Sequence, residues 1–346
     1  MHHASRVTRH DKIMKINIHE ISKKYYPFVL ELASKTVEMQ VSPVRHHVNL
    51  TSVREKYISE MKQVLNLIKL IPDYKFLIAS DNHDEPLGYL LLDTANNELV
   101  TAIPQAWIFD LSVTEAYRES SAASELLKKA EEISREKGLR HIALRLPFSD
   151  EKRINFFISS GYEIERKRFY KKLKEGEDRK VLNEPEKYGF IIRPSKAEDL
   201  PFMVRLIKEN LEHLISPLRN YSHEEIEHCR DHFCDDLENT LKTSHIVSFV
   251  AEEEKNLLGF FLVAYNEDHL TGQGEAYVNN IIVEKTVMGK RVSNRLGKKI
   301  EEYAASKGIS IMSADIVLSN RRSIMFTTRY FRYDPEQVGL LKSLQT

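Results

Sequence analysis

Leu111-Ser112-Val113-Thr114-Glu115-Ala116-Tyr117-Arg118-Glu119-Ser120-Ser121-Ala122-Ala123-Ser124-Glu125-Leu126-Leu127 ends a strand, turns through small residues and enters an amphipathic helix. The chain does the same again 170 positions later. Leu111-Ser112-Val113 faces Ile281-Ile282-Val283, and Leu126-Leu127-Lys128-Lys129 faces Leu296-Gly297-Lys298-Lys299. Further on, Lys137-Gly138 faces Lys307-Gly308, and Asp150-Glu151-Lys152-Arg153-Ile154 faces Asn320-Arg321-Arg322-Ser323-Ile324. A period of this length is the size of a whole domain, not of a solenoid repeat. One fold is therefore used twice, and its chemistry has two places to be.

Outward from that stretch, the first half reads as strand 15–21, helices over 24–40 and 51–70, and strands 75–79 and 87–92 either side of Asp81-Asn82-His83-Asp84. Strand 106–113, helix 120–137 ended by Gly138, strand 141–146, helix 150–159 and strand 163–173 follow. The second half repeats the order: strand 189–193, helices 198–212 and 223–240, strands 246–251, 257–265 and 275–283, helix 290–306, strand 310–317 and helix 321–329. Mixed strands and helices with short hairpins predict an α/β or α+β mixed sheet, not a doubly wound one. Residues 174–188 are polar and aperiodic, so they read as a linker between 14–173 and 189–346. Residues 1–13 are set aside as a disordered leader, because the strand-like pattern of Ile16, Ile18 and Ile21 begins after Met14.

With 346 residues, each half has room for its own core. Basic and acidic residues number 51 each, which argues against a nucleic-acid binder. No apolar run reaches the length of a membrane span, and the start has no apolar signal core. Two cysteines, Cys229 and Cys234, imply no disulfide framework and point to a reducing, cytoplasmic setting. They lie near His223, His228 and His232, where His228 and His232 share a helix face. The simpler reading is an amphipathic helix with Ile226, Phe233 and Leu237 inside, so no metal is expected.

The loop before helix 120–137 offers free backbone N–H groups at a helix start, which suits a phosphate. A plain small-residue turn explains it equally well. The wider pattern resembles the GNAT acetyltransferase superfamily, twice. The family's pyrophosphate loop reads Gln/Arg-x-x-Gly-x-Gly/Ala, and here Arg118-Glu119-Ser120-Ser121-Ala122-Ala123 stands in its place. Asp150, Phe156-Phe157 and Gly161-Tyr162 follow in register with the family's Asn, aromatic pair and Gly-Phe. The second half retains Asn320 and Phe326, but its loop, Met288-Gly289-Lys290-Arg291-Val292-Ser293, has lost the expected glycines.

The resemblance implies two tandem domains, each a twisted, mainly antiparallel sheet flanked by helices. It implies acetyl-CoA as co-substrate and transfer of its acetyl group to an amine of a small molecule or peptide. The alternative is a catalytically degenerate module that binds acyl-CoA or a partner. The cofactor would lie along Leu111, Val113 and residues 118–123, with Asp150 and Phe157 nearby; Ile281, Val283 and Asn320 are the counterparts. Oxyanion donors would come from the fourth strand near Val113 and Val283. The family's thiol-protonating tyrosine is replaced by Phe157 and Thr327, which leaves Tyr330 as a substitute. An alkylammonium must lose a proton before it attacks, and the candidate bases are Asp110 and Asp315. Glu275 is a further possibility, and Arg145 stands where some family members place a glutamate.

Overall fold

The computed structural model describes residues 15–45, 47–118, 120–173, 189–230, 246–287 and 291–345. The first half runs β1 (Asn17–Glu20), α1 (Tyr26–Thr36), α2 (Leu50–Leu67), β2 (Tyr74–Ser80), β3 (Pro86–Asn97), β4 (Pro104–Val113), α3 (Ala122–Glu136), β5 (His141–Pro147), α4 (Glu151–Ser159) and β6 (Glu163–Lys172). The second runs β7 (Ile191–Pro194), α5 (Leu200–Asn210), α6 (described over 223–230), β8 (Ile246–Glu253), β9 (Asn256–Glu267), β10 (Gly274–Val283), α7 (Val292–Ser306), β11 (Ile311–Val317), α8 (Arg321–Met325) and β12 (Asp334–Ser343). A π-helical turn, Phe326–Tyr330, extends α8.

Local chemistry explains these elements. Val53, Tyr57, Met61 and Leu65 recur at helical spacing and are the buried stripe of α2, whose first turn Asn49 caps through Thr51 N at 3.0 Å. Asp150 caps α4 and Asn320 caps α8, each accepting from a backbone N–H at 3.1 Å. One apolar face of the first half's strands packs on α3 and α4, the other on α1 and α2. In the second half the corresponding faces meet α7 and α5.

The twelve strands of the described residues form one mixed sheet in the order β1-β2-β3-β4-β5-β12-β6-β11-β10-β9-β8-β7. Each half's last strand is exchanged. β12 lies antiparallel to β5, and β6 lies antiparallel to β11, with β12 and β6 paired at the centre. No strand was expected after residue 329, so β12 corrects the sequence reading. Pro335 and Gly339 break its strand-like pattern, and its pairing partners are remote in sequence. Gly339 is needed there, because a Cβ at this position would lie 2.8 Å from Arg166 Cγ.

The exchange is locked by two equivalent latches. Ser42-Pro43-Val44-Arg45 and Ser216-Pro217-Leu218-Arg219 each end in a buried arginine. Arg45 binds Glu275 at 2.5 Å and also Glu336, both of the second half. Arg219 binds Gln105 at 3.0 Å and Glu165 at 2.9 Å, both of the first. The Ser-Pro-x-Arg repeat was legible in the sequence and was missed, because its offset differs from 170.

Candidate active site

β4 and β5 run parallel only from Ala106↔Ile142 to Ile108↔Leu144. Phe109 is then a β-bulge against β3, since Leu91 pairs with Asp110 but Leu92 with Ile108. The bulge turns β4 away, and the two strands part. β10 repeats this 170 residues later: it pairs with β11 only at Ala276 and Tyr277, and Asn279 is the bulge. Beyond each bulge the strand edge facing the gap has no strand partner among the described residues, which leaves that edge available to a ligand.

In the first half the gap opens into a cleft of about 490 Å³. α2 and its C-cap supply an apolar wall with Met61, Val64 and Ile68, and β4 supplies Phe109, Asp110 and Leu111. The second half closes one side, because His269 and Leu270 of the β9–β10 turn line the same space. Lys56 holds that turn through His269 O at 2.7 Å.

Asp110 is buried in the cleft wall. Its carboxylate accepts from Tyr57 at 2.7 Å, Tyr89 at 2.5 Å and Ser112 at 2.9 Å. Burial and the Asp110 charge push both phenols well above their ordinary pKa, so both stay protonated as donors. Tyr57 was legible only as a core position of α2; its hydroxyl role depends on a strand far away in sequence.

The acetyltransferase (GNAT) family model matches residues 44–162 and, separately, 209–331. The chain belongs to the GNAT acetyltransferase family. Its fold resembles a Sphaerobacter thermophilus GCN5-related N-acetyltransferase (TM-score 0.55, 12% identity, 96% of each chain covered). It also resembles the glucosamine N-acetyltransferase region of a fungal multi-domain GH3 beta-N-acetylglucosaminidase (TM-score 0.58, 13% identity, 95% of this chain). The present chain spans 38% of that fungal protein. A tandem GNAT protein from the clavulanic acid biosynthesis pathway aligns over 96% of this chain and 99% of its own, with TM-score 0.49 and 10% identity. At these identities the likeness is one of fold. No curated protein matches the sequence.

Within the GNAT frame, the residues singled out from sequence separate. Leu111, Asp110 and Phe157 line the first-half cleft, and Val113 ends β4 against Gly88. Arg118 is half exposed and lies 3.9 Å from Glu115, so its charge is only loosely held. Ser121 begins α3 with no side-chain cap on its helix. Ser120 Oγ accepts from Ala122 N at 3.2 Å, so that amide is already occupied, while Ala123 N has no acceptor among the described residues. Glu119 lies outside the described residues. Asp150 is turned to α4 and to Arg153, and Asn320 to α8 and to His213 O at 3.1 Å. Both are helix caps, which accounts for their common register without a cofactor.

Asp315 lies among arginines. Its carboxylate binds Arg145 at 2.9 Å and Arg168 at 3.4 Å. Burial alone would push it up, yet Arg145, Arg168 and Arg166 hold it below the usual carboxylate range. A carboxylate held this way is a poor proton acceptor near neutral pH. Glu275 is likewise bound to Arg45 and Arg168. Tyr330 is 62% exposed and lines neither the cleft nor the cavities beside it. Ile281 and Val283 end β10, with Val283 against Gly259. Arg291 sits at φ 60° at the head of α7, and Arg295 is buried against the Phe190 ring, so Arg295 does not offer its charge to a phosphate there. Met288, Gly289, Lys290, His232 and Cys234 lie outside the described residues. Cys229 is buried and donates to Thr101 O at 3.5 Å. Among the described residues no helix is long and apolar enough to cross a membrane.

Proposed function

We propose that this chain is an acetyl-CoA-dependent N-acetyltransferase acting on an amine of a small molecule or peptide, and that the reaction runs in the first half. The observation that carries this reading is the bulge at Phe109. It parts β4 from β5 beside an apolar cleft and in front of the small-residue entry to α3. Pantetheine would lie in the gap, and pyrophosphate at Arg118 and the Ala123 amide. The segments 14–173 and 189–346 are the units of this proposal, each completed by the other's last strand.

The amine nitrogen attacks the thioester carbonyl, and the oxyanion is met by free N–H groups of β4 beyond the bulge. Asp110 takes the ammonium proton through the Tyr57 hydroxyl, which donates to its carboxylate at 2.7 Å; Gln40 Nε2, 3.4 Å from the same hydroxyl oxygen, gives way to the amine. CoA leaves as a thiolate, so no tyrosine is required at Phe157. The second half is read as a supporting half. Asp315 is spent in ion pairs, and the β9–β10 turn forms part of the first-half cleft. The scarcity of cysteine supports a cytoplasmic setting.

The test is acetyl-CoA titration followed through Trp107, the single tryptophan, together with CoA release over a broad amine panel. Saturable binding, weakened in Ser121→Glu, and turnover with at least one amine are expected. No fluorescence change and no calorimetric heat from the wild-type protein would sink the cofactor assignment. Binding without turnover of any amine would favour the degenerate-module alternative.

A further inference from the structure

The acceptor class can be drawn from the cleft, on the basis of the transferase reading above. The cleft and a neighbouring cavity of about 380 Å³ share three lining residues, Trp107, Leu144 and Arg145. On one side the cleft is apolar and unusually bare. Leu67, Ile71 and Phe109 are exposed, and all three line it. Phe109 stacks on Tyr74 at 5.8 Å, so the bulge residue is held as part of that wall. A contiguous exposed apolar surface at a cleft marks a binding surface more often than chance.

At the junction with the second cavity stands a cation with an open edge. Arg145 Nη2 binds Asp315, while its Nε and Nη1 have no partner among the described residues. The second cavity is lined by four arginines, Arg145, Arg166, Arg168 and Arg219, against the carboxylates Glu98, Glu165 and Asp315. Arg166, Arg168 and Arg219 are taken up by Glu98, Glu165, Glu275, Asp315 and Glu336, so the open edge of Arg145 is what this cavity offers to an anion. Guanidinium forks match carboxylates in shape as well as in charge.

We propose that the acceptor is an apolar amine that carries a carboxylate, such as an amino acid with an aromatic or branched aliphatic side chain. Its carboxylate lies on the free edge of Arg145, and its side chain lies against Phe109, Leu67 and Ile71. Its amine turns toward the β4–β5 gap. There the N–C bond to the acetyl carbonyl forms as the C–S bond breaks. The proton lost by the amine ends on the released CoA thiol by way of the protein or solvent, so no further reactant is needed.

The test compares phenylalanine with phenylalaninamide, phenethylamine and alanine, by calorimetry on the full chain and by CoA release. Phenylalanine is expected to bind at least tenfold tighter than the other three. Arg145→Gln is expected to remove the preference over the amide, and Arg145→Lys to restore part of it. Circular dichroism and thermal melts check that both variants fold. If phenylalaninamide or phenethylamine binds the wild-type protein as tightly as phenylalanine, the carboxylate assignment is overturned; acetylation of those amines would leave the transferase reading standing. Alanine binding as tightly as phenylalanine overturns the apolar part. If phenylalanine binds selectively and loses that selectivity in Arg145→Gln, but nothing is acetylated, the carboxylate site stands and the transferase reading falls. Absence of binding by all four overturns the proposal.

Discussion

Arg145 and Asp315 occupy the same position in the two halves, 170 residues apart, and they bind each other across the exchanged strands at 2.9 Å. Position for position, one half carries a cation where the other carries an anion. The site that reads as a general base in the second half is therefore the anchor of an arginine in the first. Asp315→Ala should cost about 3–5 kcal/mol of stability, because Arg145 and Arg168 lose a buried partner. Urea denaturation measures this. Asp110→Asn should instead lower kcat by about 100-fold with little change in acetyl-CoA affinity. If Asp315→Ala leaves stability unchanged, or Asp110→Asn leaves kcat unchanged, the corresponding role is wrong.

The exchange of β6 and β12 should make the two halves unfold together. Calorimetry is expected to give one transition rather than two. A chain ended before residue 334 should lose the first half as well, since β5 then has no antiparallel neighbour. A truncated protein with an intact first half, seen by Trp107 emission, would contradict this.

Much of this architecture was legible in the sequence. The repeat at 170 marked both halves, and Val53, Tyr57 and Met61 marked α2 through their spacing. The bulges were not legible. Phe109 and Asn279 look like ordinary strand residues, and only the β3 and β9 partners reveal the extra residue. The exchange was invisible for a related reason. Local patterning reports that a strand exists and which face it buries, but not which remote edge it joins. The ion pairs of Asp315 were not legible either, because its arginine partners, Arg145 and Arg168, stand on other strands.

The two cofactor loops should differ. Arg118→Glu is expected to weaken acetyl-CoA binding by about 1–3 kcal/mol. Arg291→Glu should do less, because Arg291 already places a long side chain where a phosphate would have to approach the backbone at the head of α7. Titration through Trp107 compares them. The reverse order would transfer the cofactor site to the second half.

Gly297 and Phe331 give a packing test. A Cβ on Gly297 would lie 1.9 Å from Phe331 Cζ, so Gly297→Ala must push a buried ring aside. A loss of about 1–3 kcal/mol is expected. Adding Phe331→Leu should recover part of it, and equal stability of the single variant and wild type would show that the ring moves freely.

Acid should loosen the junction. Burial pushes Asp315, Glu98 and Asp268 upward, but their arginine partners hold all three below the ordinary carboxylate range. Unfolded chains therefore bind more protons than folded ones as pH falls below about 4. The stability these groups contribute is complete above that value and is lost as pH falls through their folded pKa values. His141 acts earlier. Burial, aided by Arg219 and Arg140, pushes it down to about 4, so stability should already decline between roughly pH 6.5 and 4. Urea midpoints at pH 7, 5 and 3 measure both steps, and a His141→Gln variant should flatten the first.

The central position of β12 also bears on how the protein is made. β5 leaves the ribosome early, yet its neighbour spans Asp334–Ser343 and is translated after every other described strand. Nearly 190 residues separate Pro147 from Asp334, on the order of 10–40 s of synthesis. Throughout that interval the nascent first half presents an unpaired edge beside the β4–β5 gap, open to pairing with a neighbouring chain. The first half thus waits on the last-made of the described strands, and slow or interrupted translation should favour misassembly over a first half that folds by itself.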